Sequence, residues 1–358
     1  MRLLARLKIT PKLEVSRRSI LTVTILAYIV SPLVVLAVLA AAGKSPLVAL
    51  EALYRGTIGT TAGFAESIVQ ATPLMLLALG LAMAYRGKVW NIGAEGQQVF
   101  GAIAVTWFVL LFLGSPLPSF IMIPVALLLS FVGGGLFATI PALMKSRLGI
   151  NEVITTIMMN YVAVEALNWL VRGPFQDKSI PGSYPESPVF PLQTFLPIIV
   201  PNSSVTIGII ISVVSCFLGY YFLFKTPMGY SIRAVGFNPS AARTSGISVM
   251  RVINSAMILS GALAGLGGGV YILGVTHSLL PEQASGIGYT AVVVSLLGNV
   301  HPLGVIFSSV FFGALISGMS SVERALQIPR TLSLLSQGII IVLILIIQVL
   351  ARYEIKRG

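Results

Sequence analysis

The chain has 358 residues, of which 56% are hydrophobic and 9% charged, against roughly a quarter charged in an ordinary soluble domain. Its 23 Lys and Arg outnumber 11 Asp and Glu for a net charge of +12, but the basic residues lie in short loops between apolar runs. That scatter excludes a basic nucleic-acid-binding domain, and a single cysteine, Cys216, excludes an intrachain disulfide or a cysteine-built metal site.

The residues before Ser19 hold Arg2, Arg6, Lys8, Lys12, Arg17 and Arg18 against one acid, Glu14. The positive-inside rule makes this N-terminus, 1–18, cytoplasmic. Ser19 to Ala42 follows as an apolar run too long for a signal-peptide core and reads as an uncleaved first span. Further runs place spans near 64–85, 92–113, 120–143, 152–171, 204–224, 253–274, 286–300, 303–321 and 332–350, each near the ~20 residues needed to cross a bilayer as helix. The runs are continuous rather than alternating, so helices are expected and a β-barrel is not. The expected fold is an all-α integral membrane protein of about ten spans, a single transmembrane domain over 1–358 with both termini cytoplasmic. Segments 92–113 and 286–300 open on glycine and polar residues, and the second is short; broken or re-entrant helices are the alternative there.

Gly43 to Ala62 and the proline-rich stretch 172–203 read as extracytoplasmic material. Gly43-Lys44-Ser45 resembles the end of a phosphate-binding loop, but Val38 stands where the motif requires glycine. ATP hydrolysis, if used, therefore falls to another chain. Asp177 is the only aspartate and no span carries a histidine–acid pair, so a proton relay is not expected either. Small residues recur every fourth position at Gly261, Gly265 and Gly269 and at Ser309, Gly313, Ser317 and Ser321. Such stripes allow close helix packing within one subunit, a subunit interface or pathway lining.

The loop 225–252 carries Lys225, Arg233, Arg243 and Arg251 and no acid, so it too is expected in the cytoplasm. Its centre predicts one short helix. Asn238 suits the N-cap, Pro239 the first turn, Ala241 and Ala242 the interior, and Gly246 the close. Two turns alone are marginal, which points to a helix held by a partner. In Tyr85 to Gln98, Arg86 and Lys88 fix a turn while Asn91, Glu95 and Gln97 enter the next apolar run, with Gly93 and Gly96 permitting a non-helical entry. A glutamate there must be paired, solvated or protonated, so this segment is either a structural hydrogen-bond hub or part of a gate. His301, beside Pro302, is read as a turn residue rather than a metal ligand.

These stretches carry a resemblance. Arg233, Ala234, Gly236, Asn238, Pro239, Ala241, Ala242, Gly246 and Ile247 match the coupling loop of ABC importer permeases in the branched-chain amino acid, ribose and nucleoside branch. Tyr-Arg-Gly-Lys-Val-Trp-Asn-Ile-Gly-Ala-Glu-Gly-Gln-Gln from Tyr85 resembles a signature of its nucleoside and simple-sugar members, and Leu296 to Gly304 resembles a turn between their late spans. The whole chain looks most like the larger permease of bacterial nucleoside importers. The resemblance implies a non-catalytic subunit without cofactor or metal, in a bacterial or archaeal cytoplasmic membrane and in contact with its lipid. Implied partners are an ABC ATPase, for which a tandem double-domain chain is one form, a second permease and an extracytoplasmic substrate-binding lipoprotein, but no nucleic acid. A gradient-driven transporter of a small polar solute is the alternative, as is a permease for ribose-like sugars or branched-chain amino acids. Two polar faces are expected to line a path: Glu66 with Gln70, and Tyr161, Glu165 and Asn168 with Asn160 alongside. Interhelical hydrogen bonding is the competing use of those groups.

Overall fold

The computed structural model describes residues 7–11, 17–114, 117–179 and 184–357. Most of the basic N-terminal segment, including Arg2, Arg6 and Lys12, lies outside them. The chain divides into two compact units, one of 1–63 with 315–358 and one of 64–314.

In the first unit, α1 (Arg17–Ala41) packs on α13 (Arg330–Arg352). Between α1 and residue 63 lies α2 (Pro46–Thr57), opened by Pro46 in its first turn and not foreseen as a helix. Ser317 Oγ donates to Gly56 O at 2.7 Å, so this half of the serine and glycine stripe is used for packing within the subunit. Near the chain ends, β1 (Leu7–Pro11) and β2 (Tyr353–Arg357) pair antiparallel with Leu7 opposite Arg357.

The second unit holds most of α3 (Thr61–Arg86), then α4 (Ala94–Leu111), α5 (Ser119–Leu148), α6 (Glu152–Arg172), α7 (Gly208–Lys225), α8 (Pro227–Phe237), α9 (Pro239–Thr244), α10 (Val249–Tyr271), α11 (Ile287–Leu297) and most of α12 (Pro302–Leu326). Its centre is the packing of α10 on α5 and α4. There the Gly261, Gly265 and Gly269 stripe does its work: a Cβ on Gly265 would overlap Ser130 O, and one on Gly134 would overlap Gly261 O. Only glycine lets these backbones approach so closely. Around them, Leu76, Val99, Val105, Phe137, Leu167 and Leu273 form one buried apolar cluster.

Among the described residues, seven helices are long and apolar enough to cross a membrane: α3 to α7, α10 with its extension to Thr276, and α12. The reading of 286–300 as a span gives way. Helix α11 has 11 residues, about 16 Å at 1.5 Å per residue, and covers only half a bilayer's hydrocarbon. The stretch 92–113 is a helix that starts late, because residues 87–93 are not helical. Among its described residues the loop 172–203 has one turn of 3-10 helix, Leu192–Thr194, and it is strapped to the segment that follows α10. Ser187 N donates to Leu279 O, Phe190 N to His277 O and Leu196 N to Leu273 O, at 3.1, 2.8 and 3.0 Å.

Candidate functional site

The non-helical entry to α4 is where the polar residues converge. The backbone of residues 87–93 lies outside any helix and must find partners inside an apolar body; the amides of Gly87, Lys88 and Val89 bond back to the end of α3, and side chains serve Asn91 O, Ile92 and Gly93. Asn91, fully buried, donates to Gln97 Oε1 at 2.8 Å and Ser260 Oγ at 3.0 Å. Its Oδ1 accepts from Gly93 N at 2.8 Å and Gln97 Nε2 at 3.1 Å. Tyr85 OH reaches Asn91 O at 2.9 Å. From α6, Thr156 Oγ1 accepts Ile92 N at 3.2 Å, while Asn160 accepts Gly96 N and donates to Ile92 O, both at 2.9 Å. Asn160 also donates to Tyr289 OH on α11 at 3.1 Å.

Glu95 completes the hub. Its carboxylate is buried and accepts Gly286 N at 2.7 Å and Gly288 N at 2.5 Å, so it sits at the start of α11. The free amides and dipole of a helix N-terminus favour negative charge. Gly286 adopts φ +89°, the left-handed conformation that turns its amide to the carboxylate. Gly96 does not open the entry as expected; it lies inside α4, where a Cβ would crowd Phe137 and Ala163, and offers its amide to Asn160.

The expected grouping of Asn160 with Tyr161, Glu165 and Asn168 does not hold. Asn160 points into the hub, whereas Tyr161 and Glu165 are exposed and Asn168 half-exposed on another side of α6. The polar stripe that does face inward is Glu152, Thr156 and Asn160, all buried. Its four-residue spacing was the available signal. Glu66 and Gln70 do share a face, with Gln70 Nε2 donating to Glu66 Oε1 at 2.7 Å. Glu66 borders a cavity of about 420 Å³ with Phe195, Thr206, Gly274 and His277. His277, which nothing in the sequence marked, follows a π-helical turn Ile272–Thr276, adopts φ +55° and stacks on Phe195 with centroids 3.6 Å apart. Burial pushes its imidazole below the ordinary value.

The loop 225–252 forms two helices, α8 and α9, where one was expected. Helix α9 has the foreseen caps. Asn238 Oδ1 accepts Ser240 N at 3.0 Å and Ala241 N at 3.2 Å, Pro239 occupies the first turn, Ala242 is buried, and Gly246 closes at φ +80°. Arg233 and Gly236 belong to α8. Gly236 lies against Arg86 O so closely that a Cβ would overlap it. Arg86 Nε in turn donates to Val300 O at 2.7 Å, in the turn between α11 and α12. There His301 Nδ1 accepts Leu303 N at 3.2 Å and caps α12; burial first, and the Arg86 charge second, hold its imidazole below the ordinary value. Three turns thus meet at one end of the second unit: that of Arg86, that of α8 and α9, and that of His301.

A helical body with several membrane-length spans, a polar hub at the entry to one of them and a capped surface helix between two others defines a multi-pass membrane protein. The family model for the permease component of branched-chain amino acid transport systems matches residues 63–345, and the chain belongs to that family. It is 33% identical to the guanosine ABC transporter permease protein NupP of Bacillus subtilis, over 96% of each chain. It is 32% identical to the glucose ABC transporter permease protein TsgB13 of Haloferax volcanii, over 92% of this chain and 90% of the relative. The nucleoside ABC transporter permease protein NupB of Lactococcus lactis is 31% identical over 85% of each. No solved structure matches the chain. The chain is a permease subunit of an ABC importer.

Proposed function

We propose that this subunit forms, with a second permease, the path by which nucleosides are imported across the cytoplasmic membrane, driven by an ATPase on a separate chain and fed by an extracytoplasmic binding lipoprotein. Nucleosides are favoured because relatives named for guanosine and nucleoside transport match over most of their length; a glucose-like sugar is the second reading, on the Haloferax relative. In this arrangement both termini and loop 225–252 face the cytoplasm, and about ten helical segments, α11 being a half-span, build the membrane body.

The observation that carries the mechanism is α9, a six-residue helix with both ends capped. Too short to persist by itself, it is suited to docking in a groove of the ATPase. Gly236 and Arg86 relay its displacement to the α4 entry, where Asn91, Gly93, Glu95, Gly96 and Gln97 act as the gate's pivot. Glu66 and Gln70 border the outer mouth, and Tyr161, Glu165 and Asn168 present a polar face to the second permease.

Reconstitution with a candidate ATPase, second permease and binding protein from the same organism tests this reading. ATP-dependent uptake of labelled guanosine or uridine, competed by nucleosides and not by glucose, is expected. Gradient-driven uptake by this chain alone in liposomes would overturn it.

A further inference from the structure

Arg86 and Arg233 place two like charges on one aromatic ring, with guanidinium carbons 5.8 and 5.1 Å from the centroid of Phe224. Cation–π attraction offsets part of their repulsion, but no carboxylate does. Among the described residues the ion pairs are Arg55 with Glu51 and Lys145 with Glu152. Arg86 spends Nε on Val300 O and has only a long 3.5 Å bond from Nη2 to Asn299 O. Arg233 has no hydrogen-bonded acceptor among the described residues, and its Nε is buried. A guanidinium is a planar fork of five donors matched to oxyanions, and a buried donor left unmade is costly.

What lies beside the fork narrows the anion. Helix α7, which carries Phe224, turns Val214, Phe217, Leu218 and Tyr221 outward, 47, 56, 63 and 61% exposed. Their spacing of three and four residues makes one apolar strip, and Phe224, under the two arginines, follows Tyr221 by three residues on the same helix. A free phosphate would use the fork and leave the strip bare. A zwitterionic headgroup would bring an ammonium towards two guanidiniums.

We propose that Arg86, Arg233 and the Phe224 end of α7 bind the phosphate of an anionic phospholipid, whose acyl chains lie along Val214 to Tyr221. Basic pockets between spans take such headgroups. The bound lipid supplies the counter-charge that the turns of Arg86, α8 and His301 lack, and so stiffens the junction on which the ATPase would act.

Native mass spectrometry of the full chain, delipidated in detergent and titrated with phosphatidylglycerol, phosphatidylcholine or inorganic phosphate, tests this. Phosphatidylglycerol is expected to bind in preference to phosphatidylcholine and to resist competition by phosphate. Arg233→Gln and Arg86→Gln should each weaken it about fivefold; Arg233→Lys, which keeps the charge and guards against misfolding, should weaken it less, and Arg147→Gln, at a distant exposed arginine, not at all. Equal binding of both lipids, displacement by phosphate, or unchanged affinity in both glutamine variants would overturn the proposal.

Discussion

Glu95 accepts the amide of Gly286 at 2.7 Å and thereby joins the entry of α4 to the start of α11, 191 residues further along the chain. With Gly288 N as its second donor, the carboxylate replaces the solvent that a helix N-terminus inside an apolar body lacks. Glu95→Ala leaves one buried and one half-buried amide unpaired, at a cost of roughly 2–4 kcal/mol, and should give a chain that aggregates on size-exclusion chromatography after mild heating. Glu95→Gln keeps an acceptor oxygen and should lose less. Equal melting of the two variants would show that the amides find other partners.

Asn238→Ala removes both cap bonds of α9 and should cost about 1 kcal/mol of local helix stability. The spans do not depend on it, so the melting temperature should hold while capture of the ATPase by the purified subunit falls. Asn238→Asp, which keeps the cap, should restore capture.

Gly236→Ala puts a methyl group on Arg86 O. The α8 turn must then move away from α3, and ATP hydrolysis by the assembled importer should continue with uptake reduced. Gly246→Ala, strained at φ +80° but facing open space, costs only ~1–2 kcal/mol locally and should leave more uptake than Gly236→Ala.

His277 gives a pH signature. Its folded pKa lies below the unfolded 6.5 because burial disfavours the cation. The unfolded chain therefore binds more protons, and stability present above pH 6.5 is lost as pH falls through that value towards the folded pKa. His277→Asn, tolerated at φ +55°, should flatten the difference in melting temperature between pH 8 and pH 5.5; an unchanged difference would assign it to other groups.

Much of the fold was legible. Apolar runs marked the long helices because lipid and core alike demand continuous apolarity, and α9 was legible to its caps because Asn, Pro and Gly each act locally. The Gly261 stripe was legible as close packing, though not its partner α5. Helix α11 was open to two readings, a span or a broken helix, since Ile287 to Leu297 reads as apolar in either case; what caps its start is Glu95, remote in sequence. The hub was half legible. Asn91, Glu95 and Gln97 stood out as polar residues in an apolar run, but Thr156, Asn160, Ser260 and Tyr289 join them only through tertiary packing. Tyr161 and Glu165 were grouped with Asn160 by adjacency, although adjacent residues on a helix point about 100° apart. Phe195 and His277 meet across a loop that periodicity does not describe.

The fastening of that loop also sets where the molecule can carry a label. Between Ser187 and Leu196 the backbone is tied to the segment after α10 at three points, so an epitope or fluorophore inserted there would prise the two segments apart. The turn at Pro201 and Asn202 is exposed and closed by its own Ser203 hydroxyl on Val200 O at 2.7 Å. A tag placed in that turn would ride outside the ladder without disturbing it.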